Sequence, residues 1–442
     1  MKKFYLLMVG LLLCVTLVWA GGKQEEVKET GPIDLNLLAW SYSVETVASS
    51  VDKFENDNPG IYVNYSDVSW FNFHDVMATR FVAKTPTDVV YNTDEFLEEW
   101  DSAGWIVPLE DHFPEAAEYK KYFPQYVTEA LSYNGKLYGL PYFADIFIFI
   151  YNEDMVKEAG FDAPPTTWEE VTQQSVVMKQ KGICNYPVVM QFAQKEGWSI
   201  MTVTSMVYSL KNGSLFDNDL NPVFAKSGSA AERTVTWIRD SLQDTEIMDL
   251  NSLTMAEIDV VKAMSTGKHA FTILVKYNLA ELNNPAASNL AGKFKMSLMP
   301  GETHETVGTA RFYSLTQTAV DRGPAVMNAA WKLIEFLGGI TDGEAYVVKR
   351  WVLEKGLGVS YLNMYDDPEV VAAIEKWGDV ELEREQALLA RIKEGMTPFY
   401  PAWDVFTRAT LHKAFLDQIT PQEALKASAD KWNELKKAYY KE

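Results

Sequence analysis

The sequence predicts an α/β protein of two lobes joined by a hinge, and three observations favour this fold class. The 442 residues exceed one ordinary domain, for which about 150 residues is typical. Apolar runs of strand length alternate with amphipathic runs of helix length, a pattern that predicts mainly parallel sheets flanked by helices. Residues 135–152 place a proline between two short extended pieces. We therefore expect one such sheet in each lobe, with crossing segments between the lobes.

The hinge is predicted from the residue types at positions 135–152. Extended pieces at 137–140 and 146–151 flank Pro141, which lacks an N–H and does not suit the middle of a central strand. We expect one strand to leave the first sheet, a break at 141–145, and a second strand to enter the other sheet. The alternative is a single strand with a bulge.

The first lobe is predicted to comprise residues 32–143 and 315–360. Its opening part alternates strands with helices, which we expect at 33–40, 43–57, 61–65, 73–83, 88–91 and 94–103. Gly104 follows the last of these helices, where a glycine commonly ends a helix. A strand at 312–318 is expected to form the second crossing between the lobes.

The second lobe is predicted to comprise residues 144–314 and 361–442. Thr167, with a glutamate three residues later, has the spacing of a capping box and predicts a helix start. Thr420 followed by Pro421 predicts the start of the last helix, because proline suits the first helical position. The C-terminal third is expected to be helical.

The N-terminal residues have the pattern of a secretory signal peptide. Lys2 and Lys3 precede an apolar stretch that ends at Ala20, so we expect residues 1–20 to be removed. Residues 21–31 are polar and charged and predict a flexible tether.

Two alternatives to a cleaved signal peptide are less compatible with the sequence. An uncleaved anchor is disfavoured because the apolar segment is short. A lipid anchor at Cys14 is disfavoured because Leu13 stands where a small residue is usual. If Cys14 leaves with the signal, Cys184 is the one remaining cysteine and no intramolecular disulfide is expected. We expect a periplasmic or other extracytoplasmic location.

The charge of the chain excludes two classes of partner. The formal net charge is −21, whereas nucleic-acid binding needs a basic surface. The same charge disfavours binding to an anionic membrane surface. A strongly acidic chain suits a soluble monomer.

Sequence motifs for catalysis and for metal binding are absent. The five histidines are scattered without metal-ligand spacing, and no Gly-x-Ser-x-Gly or P-loop motif occurs. Gly356-Leu357-Gly358 lacks the third glycine of a dinucleotide site. Asp217 begins a run similar to a calcium loop, but Pro222 stands where the loop needs glycine, so a hairpin turn is favoured. No cofactor and no metal are expected.

An ordered set of short motifs follows the predicted hinge. Residues 138–142, 151–152, 159–161 and 164–170 read Tyr-Gly-Leu-Pro-Tyr, Tyr-Asn, Ala-Gly-Phe and Pro-Pro-Thr-Thr-Trp-Glu-Glu. Residues 266–272 are similar to a Gly-Lys-x-Ala-Met turn and strand. This set resembles the extracellular solute-binding proteins of ABC importers, in the sugar-binding family that includes the maltose-binding protein. The resemblance implies the two-lobed periplasmic-binding-protein fold and a permease in the inner membrane as partner.

A carbohydrate ligand implies aromatic platforms beside planar polar groups, in the crevice outside the carboxyl ends of the strands. Positions next to predicted strands, at the crossings and at the head of a late helix were therefore selected. The candidates are Trp40, Tyr42, Trp70, Asn92, Asp94, Glu95, Asp145, Trp198, Lys276, Tyr277, Arg311, Tyr400 and Trp403.

The resemblance implies ligand contacts at three of these places. They are the segment after the third strand, the aromatic that follows the turn and strand at 266–272, and the head of the late helix. The matching residues are Asn92, Asp94, Glu95, Tyr277, Tyr400 and Trp403. Asn92 stands where the maltose binder carries an aromatic, which counts against maltodextrin.

Each candidate also has an ordinary structural alternative. Any of the aromatic residues suits a core, Asp94 suits a helix cap, and Arg311 suits an ion pair. Other functions also stay open: a binding protein for a phosphodiester or short peptide, or a secreted glycoside-active enzyme with two carboxylates across a sugar.

Overall fold

The computed structural model describes residues 31–286, 288 and 290–441. The predicted signal peptide and all of the predicted tether except Gly31 lie outside the described residues. None of the helices in the described part of the chain combines the length and the apolar character needed to cross a bilayer.

Ten strands occur in the described residues. They are β1 (Ile33–Trp40), β2 (Ile61–Val68), β3 (Val89–Thr93), β4 (Ser132–Tyr133), β5 (Lys136–Leu137), β6 (Gly139–Asn152), β7 (Phe271–Val275), β8 (Phe294–Ser297), β9 (Thr306–Leu315) and β10 (Ala390–Arg391). Eight of them form one sheet, in the order β2-β1-β3-β9-β6-β7, with β10 beside β9 and β8 beside β6. The strands β4 and β5 form a separate small hairpin.

The two halves of this sheet differ in direction. Strand β1 pairs in parallel with β2 and β3, as expected for the first lobe. Strand β6 pairs antiparallel with β7, β8 and β9, and β9 pairs antiparallel with β3. The two sheets expected for the lobes are therefore joined through β6 and β9.

The predicted break at 141–145 is wrong, because β6 is one continuous strand of 14 residues. The alternative of a single strand with a bulge is what occurs. Its register against β9 shifts between Pro141 and Phe143. The shift accommodates the residue that cannot donate to the ladder. The strand is buried along almost its whole length, so leaving its backbone groups unpaired would be costly.

Seventeen α-helices occur in the described residues. They are α1 (Val44–Asp57), α2 (Trp70–Val82), α3 (Asp94–Ser102), α4 (Gln125–Ala130), α5 (Glu153–Glu158), α6 (Trp168–Gln180), α7 (Trp198–Tyr208), α8 (Ala230–Gln243), α9 (Glu257–Ser265), α10 (Tyr277–Leu282), α11 (Gln317–Asp321), α12 (Pro324–Gly338), α13 (Tyr346–Lys355), α14 (Pro368–Glu375), α15 (Val380–Leu388), α16 (Tyr400–Phe415) and α17 (Pro421–Tyr440). Four 3₁₀ helices lie at Leu109–Asp111, Pro114–Tyr122, Leu250–Leu253 and Leu362–Asp366.

The predicted helix starts are confirmed at both capping sites. The hydroxyl of Thr167 accepts the N–H of Glu170, whose carboxylate accepts from the N–H and the hydroxyl of Thr166. At α17, Thr420 and Glu423 form a reciprocal capping box. These helix starts can be predicted from the sequence because each capping interaction involves only neighbouring residues.

The polar segment after residue 212 forms a turn, as predicted. One oxygen of Asp217 accepts the N–H groups of Asp219 and Asn221, at 3.0 and 2.8 Å. Phe216 and Pro222 then form an isolated bridge. The carboxylate of Asp217 thus accepts hydrogen bonds from its own turn, as aspartate commonly does in turns.

Two clusters of buried side chains lie on the sheet. The first includes Leu37, Tyr91 and Trp351, together with most of the buried residues around β1, β3 and α12. The second includes Phe149 and Trp432 and surrounds α7, α8, α16 and α17. Two clusters are consistent with two lobes, while the lobe boundaries predicted from sequence stay a prediction.

Candidate functional site

A row of half-buried aromatic side chains lies at the carboxyl ends of the first three strands. We call Tyr42, Trp40, Trp70 and Phe96 the aromatic row. Trp40 stacks on Tyr42 with ring centroids 4.9 Å apart and lies 6.0 Å from Trp70, which stacks on Phe96 at 5.9 Å. All four are partly exposed and pack against the first cluster. Neighbouring strands that end at one edge bring these distant positions together.

Three members of the row were candidates from the sequence, and Phe96 was not. Phe96 lies in the first turn of α3, after β3, so its position carried the same signal as the polar residues before it. The helix itself is capped by Thr93, whose hydroxyl accepts the N–H of Glu95 at 3.4 Å. Asp94 therefore does not serve as the cap.

Arg311 and Asp94 form an ion pair beside the row. A guanidinium nitrogen of Arg311 lies 3.4 Å from one oxygen of Asp94 and donates to Thr309 at 2.7 Å. The guanidinium also lies 5.7 Å from the centre of the Trp70 ring. The other Asp94 oxygen is buried and accepts no hydrogen bond within the described residues. It is an acceptor available to a ligand.

Glu95 and Lys393 join two parts of the chain that are distant in sequence. Their carboxylate and ammonium groups form an ion pair, and the ammonium lies 5.4 Å from the ring centre of Tyr400. Burial would raise the pKa of Glu95, but Lys393 and Arg311 outweigh it and lower the pKa. Lys393 was not a candidate from the sequence, because nothing near it forms a motif.

A cavity of ≈ 750 Å³ lies at the Tyr42 end of the row, and we call it the first cavity. Tyr42, Lys276 and Tyr277 line it, so three predicted residues meet there. The Tyr277 hydroxyl donates to Glu257 at 2.6 Å. Burial raises the pKa of Tyr277 and of Glu257. Lys276 pairs with Glu383 at 3.2 Å.

A second cavity of ≈ 460 Å³ lies at the other end of the row, beside Asp94. Glu98, Tyr133, Arg391 and Lys393 also line it. Burial, assisted by Asp101, raises the pKa of Glu98. Tyr42 of the row lines the first cavity, and Asp94, whose partner Arg311 lies over Trp70, lines the second. We call the row and the two cavities together the groove.

Asp145 lies at the crossing, as predicted, but both of its oxygens accept backbone N–H groups. Ile146 donates at 2.9 Å and Gly358 at 3.0 Å. Burial raises the pKa of Asp145 to about 7, although Lys276 and the two N–H groups oppose the rise. The carboxylate therefore joins β6 to the segment after α13 and is not free for a ligand.

The structure corrects the assignment of three other candidates. Asn92 is fully buried within the sheet, where it donates to Ser314 and accepts from the N–H of Thr93. Trp403 is 1% exposed, in a core with Phe216, Phe224 and Trp432, and its indole N–H donates to a backbone carbonyl. Tyr400 is buried beside it.

The position of Trp198 does not decide between a ligand contact and a packing role. It is the first residue of α7, is half-buried, and lies 5.5 Å from the ring of Phe147. It lines neither cavity.

The groove offers aromatic faces, hydrogen-bond acceptors and charges that are already paired. The described residues contain no group of three or more His, Cys, Asp or Glu side chains that could hold a metal ion. Such an arrangement suits a ligand with both C–H faces and hydroxyl groups, since rings contact the former and carboxylates accept from the latter.

Solved structures of other proteins have the same fold. The sugar-binding protein MalE of Xanthomonas citri matches with a TM-score of 0.76 at 20% identity, over 92% of this chain and 98% of that chain. Maltose-bound MalE3 of T. maritima matches with a TM-score of 0.74 at 20% identity, over 91% and 100%. These similarities establish the two-lobed periplasmic-binding-protein fold.

Sequence comparisons agree with the fold. A Brucella abortus (strain 2308) protein described as a binding protein is 23% identical over 315 residues, which are 70% of this chain and 72% of that protein. The profile described as bacterial extracellular solute-binding protein matches residues 40–340, which include the aromatic row, both crossing strands and Lys276. The chain belongs to the bacterial extracellular solute-binding protein family.

Proposed function

We propose that this protein captures an uncharged carbohydrate in the groove and delivers it to the permease of an ABC importer. The observation that carries the proposal is the aromatic row, with a cavity at each end. Sugars present C–H faces that stack on aromatic rings and hydroxyls that bind carboxylates and amides. The related structures of maltose-bound MalE3 and of the sugar-binding protein MalE support this ligand class.

The pairing of the buried cations favours a neutral ligand. Lys276, Arg311 and Lys393 each form an ion pair with a carboxylate. Arg408 pairs with Asp404 through two hydrogen bonds of 3.0 Å. A phosphodiester, or the carboxylate end of a peptide, would need a cation that is not already neutralised. These pairs therefore weigh against both alternatives.

Ligand capture would couple to closure of the lobes. Under this proposal residues 32–143 and 315–360 form one lobe, and 144–314 with 361–442 the other. The aromatic row belongs to the first, whereas Tyr277 belongs to the second. A ligand that contacts both would shift an equilibrium between open and closed forms, with β6 and β9 as the hinge.

We also infer an extracytoplasmic location, a monomeric state, and binding without catalysis. The family supports the location, and the acidic surface supports a soluble monomer. Incubation with a mixed oligosaccharide panel should return every sugar intact. Release of shorter products would favour a glycoside-active enzyme instead.

A thermal-shift screen tests the proposed ligand class. The panel contains D-glucose, maltose, maltotriose and D-mannitol, with a glycerol phosphodiester and a tripeptide as competing classes. A ligand at a hundredfold excess over Kd adds about 2.7 kcal/mol to the free energy of unfolding. We expect at least one carbohydrate to raise the melting temperature by several degrees. A shift with the phosphodiester or tripeptide alone would contradict the proposal.

A further inference from the structure

Glu383 lines the first cavity and carries an unused hydrogen-bond acceptor. The residue lies on α15, is 1% exposed, and lines the cavity together with Tyr42 and Tyr277. Its Oε1 lies 3.2 Å from the Nζ of Lys276. Its Oε2 is buried and accepts no hydrogen bond from the described residues.

Two other buried carboxylates near the groove have structural roles, and both oxygens of each accept hydrogen bonds. Asp145 receives a backbone N–H on each oxygen, and Asp404 receives Arg408 on both. Glu383 has only one oxygen satisfied. A buried charged group that lacks a partner costs more than an ordinary lost hydrogen bond. The cost is removed when a bound molecule donates to Oε2.

The helix that carries Glu383 is held firmly in place. Asp379 caps α15 by accepting the N–H of Leu382 at 2.9 Å. Gln386, three residues after Glu383, accepts the N–H of Met299 at 2.8 Å and donates to the carbonyl of His304 at 2.9 Å. The helix is therefore fixed against the loops next to β8 and β9.

The neighbours of Glu383 indicate which group the ligand brings. Lys276 already neutralises the carboxylate, so a second cation is not required. Tyr42 and Tyr277 line the same cavity and contribute aromatic ring surface to it. A hydroxyl attached to a ring with C–H faces satisfies both features, whereas a carboxylate or phosphate would be repelled.

We propose that Glu383 is a ligand-contact residue whose Oε2 accepts a hydrogen bond from a hydroxyl of the carbohydrate in the first cavity. The inference rests on the proposed function. It adds α15, a segment far from the aromatic row in sequence, to the wall of the binding site. It also assigns Lys276 the role of positioning Glu383.

Calorimetric titration of Glu383→Gln tests the proposal. Glutamine keeps the size of the side chain, but with its oxygen towards Lys276 it presents an N–H₂ donor to the cavity. The probe is whichever of D-glucose, maltose, maltotriose and D-mannitol binds the unmodified protein most tightly. We expect its Kd to rise about tenfold or more, as for loss of a hydrogen bond to a charged group. Glu385→Gln, which alters an exposed acid on the same helix, should leave Kd unchanged.

Monodeoxy derivatives of the same sugar distinguish a direct hydrogen bond between Glu383 and the ligand from a purely structural role of Glu383. One of them should bind the unmodified protein at least tenfold more weakly than the parent, yet bind Glu383→Gln as well as the parent does. A purely structural role would not produce this dependence. If no single hydroxyl matters in the unmodified protein, the inference is wrong even where Glu383→Gln fails to fold.

The outcomes for the inference and for the proposed function are distinct. If none of the four carbohydrates of the panel binds the unmodified protein, the proposed function fails and the inference falls with it. If a sugar binds and Glu383→Gln binds it equally well, only the inference is overturned.

Discussion

The aromatic row and the cluster around Trp403 contain the same residue types but occupy different environments. Trp40 and Trp70 are half-buried at strand ends, where they pack against the first cluster. Trp403 is enclosed by Phe216, Phe224 and Trp432. An aromatic that follows a parallel strand is carried to the edge where crevices form. An aromatic on a long helix joins whichever core that helix covers.

The sequence could not reveal this difference at Trp403. Pro398 and Pro401 lie on either side of Tyr400, just before Trp403, and this pattern predicted a position exposed to a crevice. The residues that cover the ring come from segments about 190 and 30 positions away, as Phe216 and Trp432 show. Local pattern does not report such long-range packing.

The largest expected effect is the loss of stability in Trp403→Ala. Removal of this buried ring should lower the free energy of unfolding by about 3–5 kcal/mol, since a cavity would replace it. Urea melts without ligand measure the loss. A change below about 1 kcal/mol would show that the ring is not part of the core and would remove the contrast with the aromatic row.

Gly358→Ala should have the next largest effect, at the contact between the hinge and α13. A β-carbon at this position would lie 2.2 Å from the carbonyl oxygen of Ala144 and 2.9 Å from the Cα of Asp145. Backbone must move to admit it, so we expect a loss of about 1–3 kcal/mol in urea melts. Gly378→Ala is the control, because its added carbon would meet only ordinary contacts at 3.4 Å and beyond. Equal losses in the two variants would argue against a close contact at the crossing.

The pH dependence of stability should reveal the buried carboxylate at the crossing. Because the pKa of Asp145 is raised to about 7 from 3.8, the folded protein holds this proton more tightly than the unfolded chain. The resulting stability is fully present below pH 3.8 and is lost as the pH rises through about 7. Relative to Asp145→Asn, the free energy of unfolding of the unmodified protein should fall by on the order of 1 kcal/mol per pH unit across that window.

Urea melts of both proteins at pH 5 and pH 8 measure this difference. Lys276 and Glu383 also face Asp145 and remain in both proteins, so most of their contribution cancels. A difference between the two proteins that does not change with pH would show that Asp145 is ionised throughout.

The fold was largely predictable because its signals are local. Strand and helix alternation, the caps at Thr167 and Thr420, and the turn at Asp217 each depend on residues close in sequence. The continuity of β6 was not predictable, because its pairing with β9 and its burial override the disfavoured Pro141.

The candidate site was predictable only in part. Positions after strands identified Trp40, Tyr42 and Trp70, since strand ends converge at one edge. Glu383 and Lys393 lie on or next to late elements with no distinctive pattern. Their place in the groove depends on ion pairs with Lys276 and Glu95, which only the folded chain brings together.

The most direct test of the account compares two tryptophans of similar burial in one core. Trp40 belongs to the aromatic row, whereas Trp105 lies outside it and is half-buried against Phe81. Calorimetric titration uses the tightest-binding carbohydrate of the panel. Trp40→Ala should weaken binding by about 1–3 kcal/mol, as for an aromatic anchor, and Trp105→Ala should leave the affinity unchanged. Equal affinities of the two variants would contradict the claim that the aromatic row binds the ligand.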